Sequence, residues 1–457
     1  MVAMSERIHS GASPSEVRAD LKGLVNFEDN GMEADVLSRE LEQKLIPHLA
    51  NYSSPEFQSM FNAFPEEGAL IGSYLALRYN QGVTNWQVSP GGAVLEELCC
   101  TSLCELFGLR KKSEATFMYS GTYGNQQALY LALHRHAEKK GFDYSSEGMG
   151  GFENPDKLRI VVAEDVHFSI VQAARFLGLG ENALLKISLD ENLRIDPAAV
   201  IRTLGEHNSD YEAVCVVVTM GSTITGSVDE ISDISKVCSD KGIWLHADGA
   251  YGLAYSLLPE KKPLFRGLRS SDSIVWDPHK QFGVPIPSSL LFLKDGENFK
   301  RVNVHSDYFN RKEEEMPNPG IKSPPSTRPF SALPLVTSIK SQGLRALRKR
   351  LRASINAVND LAEALVEDAE IEIMNKPDTG VICFRVRPMG IGETDLCKLQ
   401  EYVYNEASLE GARAISTASI EGKKVLRLVS VSPEVTVRAL KSTILSIKET
   451  AKSFAEN

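Results

Sequence analysis

The chain has 457 residues, 42% hydrophobic and 24% charged, with 60 Asp and Glu against 50 Lys and Arg and a formal charge of −10. That length supports a large core and roughly two to three domains. The negative balance argues against a sequence-independent binder of nucleic acid, which needs a basic face to displace counterions, so no nucleic-acid partner is expected.

In chain order, the first sixteen residues mix charges with Ser, Gly and Pro and are expected to carry no export signal. A helical pattern over residues 33–50 belongs to an expected N-terminal arm, residues 1–95. From residue 97 to 294 short β-rich runs alternate with helical ones, at 159–163, 213–219, 242–246, 273–276 and 289–293. Alternation of that kind predicts a mainly parallel sheet covered by helices on both faces, here a large α/β domain over 96–335. The longest apolar stretches, such as 213–218, fall far short of the roughly twenty residues that span a bilayer, so no membrane partner is expected. Residues 310–328 are dense in Pro and Gly and read as a loop. After Pro334 a long helical pattern, then strand-like runs at 380–386 and 425–431 with helices between and after them, predict a small C-terminal α+β domain over 336–457. The basic run of Arg345, Arg348, Lys349, Arg350 and Arg352 reads as a solvated helix face. Seven cysteines, an odd number scattered along the chain, read as free thiols in a reducing compartment, and the protein is expected to be cytoplasmic. Cys100 and Cys104 have no histidine and cysteine set of zinc spacing beside them, so no metal is expected.

Four segments carry chemistry. Val275-Trp276-Asp277-Pro278-His279-Lys280 places a lysine just after an apolar run, where its amine can form an imine with a carbonyl compound. Gly242-Ile243-Trp244-Leu245 opens into His246-Ala247-Asp248-Gly249-Ala250, ending a strand on a carboxylate. Tyr119-Ser120-Gly121-Thr122-Tyr123-Gly124-Asn125 resembles a loop entering a helix, where free N–H groups and hydroxyls face an anion. His167 follows the run 159–163 and can cover an aromatic ring. An amine for an aldehyde, a carboxylate to keep a pyridine nitrogen protonated, a phosphate cradle and a ring cover are together what pyridoxal 5'-phosphate requires. Taken singly each has a plainer reading: an exposed lysine, a helix N-cap, an ordinary turn, a structural histidine. Their conjunction, each at a predicted strand or helix end, favours the site. All fall where ligands bind in such sheets, outside the carboxyl ends of the strands.

In this order the motifs resemble the group II pyridoxal-phosphate-dependent amino acid decarboxylases. Ser89-Pro90-Gly91-Gly92-Ala93 with Glu96, Val218-Thr219-Met220-Gly221-Ser222-Thr223 and Val425-Leu426-Arg427-Leu428-Val429 extend the likeness over residues 40–435. The resemblance implies the aspartate aminotransferase-like fold, fold type I, with a mainly parallel seven-stranded sheet, and a homodimer. It implies decarboxylation of an L-amino acid to the amine through a Lys280 Schiff base and a quinonoid intermediate. Ser120, Gly121 and Thr122 would hold the phosphate, Thr219 and Ala250 would lie against the ring, and His279 would sit beside the lysine. Arg427 is a candidate for the substrate's carboxylate, with an interdomain salt bridge as its other reading. The loop at 310–328 lacks the tyrosine with which many members protonate the carbanion; Tyr308, at its start, or His279 could serve instead. Members lacking that tyrosine can be oxidative and form aldehydes. A carbon–carbon lyase of the same fold would share every cofactor motif. An inactive homologue that acts by binding a partner is argued against by the intact lysine and aspartate.

Overall fold

The computed structural model describes residues 7–205, 210–304, 316–409 and 411–456. The chain forms two compact units, one of residues 65–352 and one joining residues up to 64 with those from 353 onward.

The first unit is built on a seven-stranded sheet of β1 (Glu114–Met118), β2 (Leu158–Ala163), β3 (Leu184–Ile187), β4 (Glu212–Thr219), β5 (Trp244–Asp248), β6 (Ser273–Trp276) and β7 (Ser289–Leu293), in the order β1-β7-β6-β5-β4-β2-β3. β7 alone runs against the others. The central strands are buried along their length, and β4 carries Val214, Cys215, Val216, Val217 and Val218 in succession because both its faces are covered. Each such side chain taken from water contributes about 1.5–3 kcal/mol. The helix Gly121–Lys140 crosses the sheet with Ala128, Leu129, Leu131, Ala132 and Leu133 in the core. Gly124 lets it approach β6, since a Cβ there would lie 2.8 Å from Val275 Cγ2.

Residues 65–95, expected in the arm, and 336–352, expected in the small domain, pack in this unit. The helix Glu67–Tyr79 explains both shifts of boundary. A Cβ on Gly68 would stand 2.8 Å from Thr337 O and one on Gly72 2.8 Å from Pro334 Cα, and Glu66 N–H donates to Gly283 O at 2.8 Å.

The second unit holds a four-stranded antiparallel sheet of β8 (Ile371–Ile373), β9 (Val381–Val386), β10 (Ser416–Ile420) and β11 (Lys423–Val429), in the order β10-β11-β9-β8. Leu396, Leu399 and Val403 of the helix Glu393–Leu409, and Leu440, Ile444 and Ile447 of the helix Val437–Glu456, pack with Ile382, Phe384, Leu426 and Leu428. Their three- and four-residue spacing gives each helix one apolar face. The early segment joins here through a bridge between Phe57 and Ala414. No helix among the described residues is long and apolar enough to cross a membrane.

Candidate active site

The parallel strands of the first unit end on one edge, and five of the expected segments meet there. Ser120 to Thr122 follow β1, His167 follows β2, Thr219 ends β4, Asp248 ends β5, and His279 with Lys280 follows β6. Thr219 pairs in register with Asp248, and Asp248 with Val275.

Ser120 is the extended N-cap of the helix Gly121–Lys140, and its hydroxyl accepts from Tyr123 N–H at 3.4 Å. The N–H groups of Gly121 and Thr122 have no partner among the described residues, so the first turn of a 20-residue helix offers two aligned donors to an anion. A Cβ on Gly121 would lie 2.9 Å from Asp277 Oδ2, which keeps that position bare.

Asp277 stands at the N-cap position of the single turn Pro278–Gln281 that carries His279 and Lys280, without a capping hydrogen bond from its side chain. It is buried, accepts from the Ser289 hydroxyl at 2.6 Å, and holds Lys280 Nζ at 3.2 Å and His279 Nε2 at 3.9 Å from Oδ2. Its own N–H donates to Ala250 O at 3.1 Å. His279 Nδ1 lies 2.6 Å from Ser288 O, and burial pushes its ring below the ordinary histidine value.

Behind the lysine, Asp248 accepts from Ala250 N–H at 3.1 Å through Oδ1 and from Asn125 Nδ2 at 2.8 Å through Oδ2. Asn125 Nδ2 also donates to Ser169 Oγ at 2.8 Å, and Ser169 Oγ lies 2.8 Å from His167 Nδ1. On the other side Asn125 Oδ1 is 2.9 Å from Nε2 of His246, whose titration burial pushes down to about 4. His167 is likewise held below its ordinary value by burial, with the charges of Asp248, Lys280 and Asp277 acting on it. Thr219 is pinned by Asp229, which accepts its N–H at 2.6 Å and which burial pushes up to about 7.

The donor set fits the expected cofactor. One amine, one buried carboxylate oriented by two hydrogen bonds, and a helix start with unpaired N–H groups beside a glycine that a side chain would crowd all share one edge. Arg427 belongs to the second unit, where it donates to Ser59 O at 3.1 Å and Ser416 Oγ at 2.7 Å and lies over the Phe61 ring. Tyr308 lies outside the described residues. Sequence reasoning did not single out Asn125, Ser169, His246 or Asp277. A signal existed for two of them: His246 and Asp248 are two apart on β5 and share its face, and Asn125 lies one helical turn after Gly121.

Residues 19–387 match the model of the pyridoxal-dependent decarboxylase conserved domain. The L-2,4-diaminobutyrate decarboxylase of Acinetobacter baumannii is 24% identical over 462 residues, covering 99% of this chain and 90% of that protein. The aromatic-L-amino-acid decarboxylase of Bacillus atrophaeus is also 24% identical, covering 93% of this chain and 87% of that protein. Among solved structures, Oryza sativa TDC with PLP and tryptamine superposes with a TM-score of 0.89 at 19% identity, covering 98% of this chain and 93% of that one. The fold is the α/β architecture of fold type I, as the motifs implied. The protein is a pyridoxal-phosphate-dependent carboxy-lyase of amino acids, and the chain belongs to the pyridoxal-dependent decarboxylase family.

Proposed function

We propose that the enzyme converts a polar or acidic L-amino acid to its amine and carbon dioxide, with Lys280, Asp248, His167 and His279 as the working groups of a cytoplasmic homodimer. The reading rests above all on the convergence of Lys280, Asp248 and the start of the helix Gly121–Lys140 at one edge of one sheet. Bound there, pyridoxal phosphate supplies the electron sink for the pair left behind when the carboxylate departs.

The chain's own groups do the rest. Lys280 Nζ, held 3.2 Å from Asp277 Oδ2, would anchor the cofactor. Asp248 keeps a proton on the pyridine nitrogen, its two oxygens aimed by Asn125 and Ala250. Gly121 and Thr122 N–H, with the Ser120 hydroxyl, hold the phosphate. His167, Ala250 and Thr219 would hold the cofactor's ring. His279 brings the α-carbon the proton that replaces carbon dioxide, with Tyr308 as the other proposed source. Arg427 is the proposed partner of a substrate carboxylate.

A polar substrate is supported by Gln281, next to the lysine, whose buried amide has no partner among the described residues. A homodimer is supported by the helix Glu67–Tyr79, where Ile71, Tyr74 and Leu77 are 61 to 79% exposed on one apolar face. A cytoplasmic setting is supported by seven free cysteines.

The test is carbon dioxide release from each standard L-amino acid, 2,4-diaminobutyrate and ornithine, with oxygen uptake followed in parallel. Stoichiometric amine without oxygen uptake is expected. The absence of a tyrosine between residues 309 and 329 favours one further reading, aldehyde formation; oxygen consumption with peroxide release would establish it instead.

A further inference from the structure

The hydrogen bonds behind Asp248 have a direction, and it can be worked out from groups that only donate or only accept. An ionised Asp248 accepts, so the Asn125 atom 2.8 Å from it is the amide nitrogen, and the amide oxygen faces His246 Nε2 at 2.9 Å. An amide oxygen cannot donate, so His246 carries its proton on Nε2. Its Nδ1 then accepts from the Ser273 hydroxyl at 2.8 Å, and that hydroxyl oxygen accepts from Trp244 Nε1–H at 2.8 Å. The second N–H of Asn125 takes one lone pair of Ser169 Oγ, which leaves the hydroxyl proton and one further lone pair for His167 Nδ1 at 2.8 Å. Ser169 N–H, which can only donate, points at the same nitrogen from 3.3 Å. A proton on His167 Nδ1 would face that N–H, whereas a bare Nδ1 accepts from both the N–H and the hydroxyl.

We propose that Asn125, Ser169, His246 and Ser273 are positioning residues that lock His167 as the Nε2–H tautomer, making it a standing hydrogen-bond donor to an anionic or carbonyl oxygen of the substrate and never the proton carrier. The proposal rests on reading His167 as part of the cofactor site. His279 has the reverse arrangement. Its Nδ1 has Ser288 O, which only accepts, at 2.6 Å and Ser288 N–H, which only donates, at 3.3 Å; the closer partner is the acceptor, so Nδ1 carries the proton and the Nε2 lone pair is left on the Asp277 side to take up and release one. Two histidines beside one lysine thus have opposite duties, set by what lies behind each ring.

The test is the ring-nitrogen spectrum of histidine-selective ¹⁵N-labelled protein, with and without bound cofactor, assigned by His167→Gln and His246→Gln. His167 and His246 are expected to show a protonated Nε2 and a bare Nδ1 from pH 8 to pH 6, and His279 the opposite. In Asn125→Asp, which has no N–H to give, the His167 pattern is expected to collapse to averaged tautomers, while Ser273→Thr keeps it. A protonated Nδ1 on His167 in the wild type overturns the proposal, and so does an unchanged His167 pattern in a folded Asn125→Asp protein. Should that variant not fold, the wild-type spectrum alone decides. Borohydride fixation of the cofactor on Lys280 separates the two readings: without fixation the site assignment falls, whereas a wrong tautomer with fixation intact removes only the relay.

Discussion

The wall behind Asp248 and the turn that carries Lys280 lie at the ends of neighbouring strands, β5 and β6, and are built on opposite terms. In the wall, Asn125, Ser169, His246, Ser273 and Trp244 form one connected set of hydrogen bonds. In the turn and on either side of it, Gln281 Oε1 and Nε2, Ser288 Oγ and Trp276 Nε1 are buried with no partner among the described residues. Buried polar atoms are ordinarily satisfied, so the contrast separates a finished part of the site from one with capacity left for an arriving ligand or water. On the proposed reading, Asp248, whose charge must be in place before the reaction begins, lies in the finished part.

Four experiments probe that contrast. The largest effect is expected from Lys280→Ala, which removes the anchoring amine and should lower carbon dioxide release at least about a thousandfold with cofactor in excess; a rate within tenfold of wild type would move the anchor elsewhere. Asp248→Asn keeps the shape of the wall but not its charge, and kcat should fall about a hundredfold or more, measured at saturating cofactor. For stability the two regions should diverge. Asn125→Leu strips partners from His246 and Asp248 and should cost about 2–4 kcal/mol. Gln281→Leu should be neutral or stabilise by about 1 kcal/mol. Denaturant midpoints of the two variants would decide, and equal losses would erase the distinction.

The last expected effect is a dependence on pH. His246 titrates near 4 in the fold against an ordinary 6.5. The folded state therefore binds fewer protons than the unfolded one between those values, and the contribution of a neutral His246 is complete above 6.5 and lost as the pH falls through 4. Wild-type stability should decline over that window more steeply than that of His246→Gln, followed by denaturant midpoints at each pH.

The strands legible in the sequence were the interior ones. Apolar runs marked β2, β4, β5, β6 and β7 of the large sheet and β9 and β11 of the small one, whose faces are covered. The four left unread, β1, β3, β8 and β10, are the edges of the two sheets. Two of these edges are short and bury little: Leu184–Ile187 has only its last residue buried, and Ile371–Ile373 only its first, whereas β1 is buried from Ala115 to Met118. The site followed a similar rule. Lys280, Asp248, His167 and the loop at Ser120 announce themselves by residue type at the end of a run. Asn125 and His246 do their work through partners more than a hundred positions away, at sequence separations of 123 and 121, and no local pattern carries that. Asp277 was visible three residues before the lysine, but its role as the lysine's counter-charge depends on a one-turn helix too short to read from periodicity.

β5 also constrains how this protein can change over time. Its side chains alternate, so His246 and Asp248 reach the same face only because one residue, Ala247, separates them. Gaining or losing one residue between Trp244 and Asp248 would swing the carboxylate to the other face of the sheet, away from Asn125. Point replacements along this strand can be sampled one at a time, but a change in its length has no viable halfway form. Variation in length among descendants of this chain is therefore expected in the loops flanking β5, and its five residues should be inherited as a block.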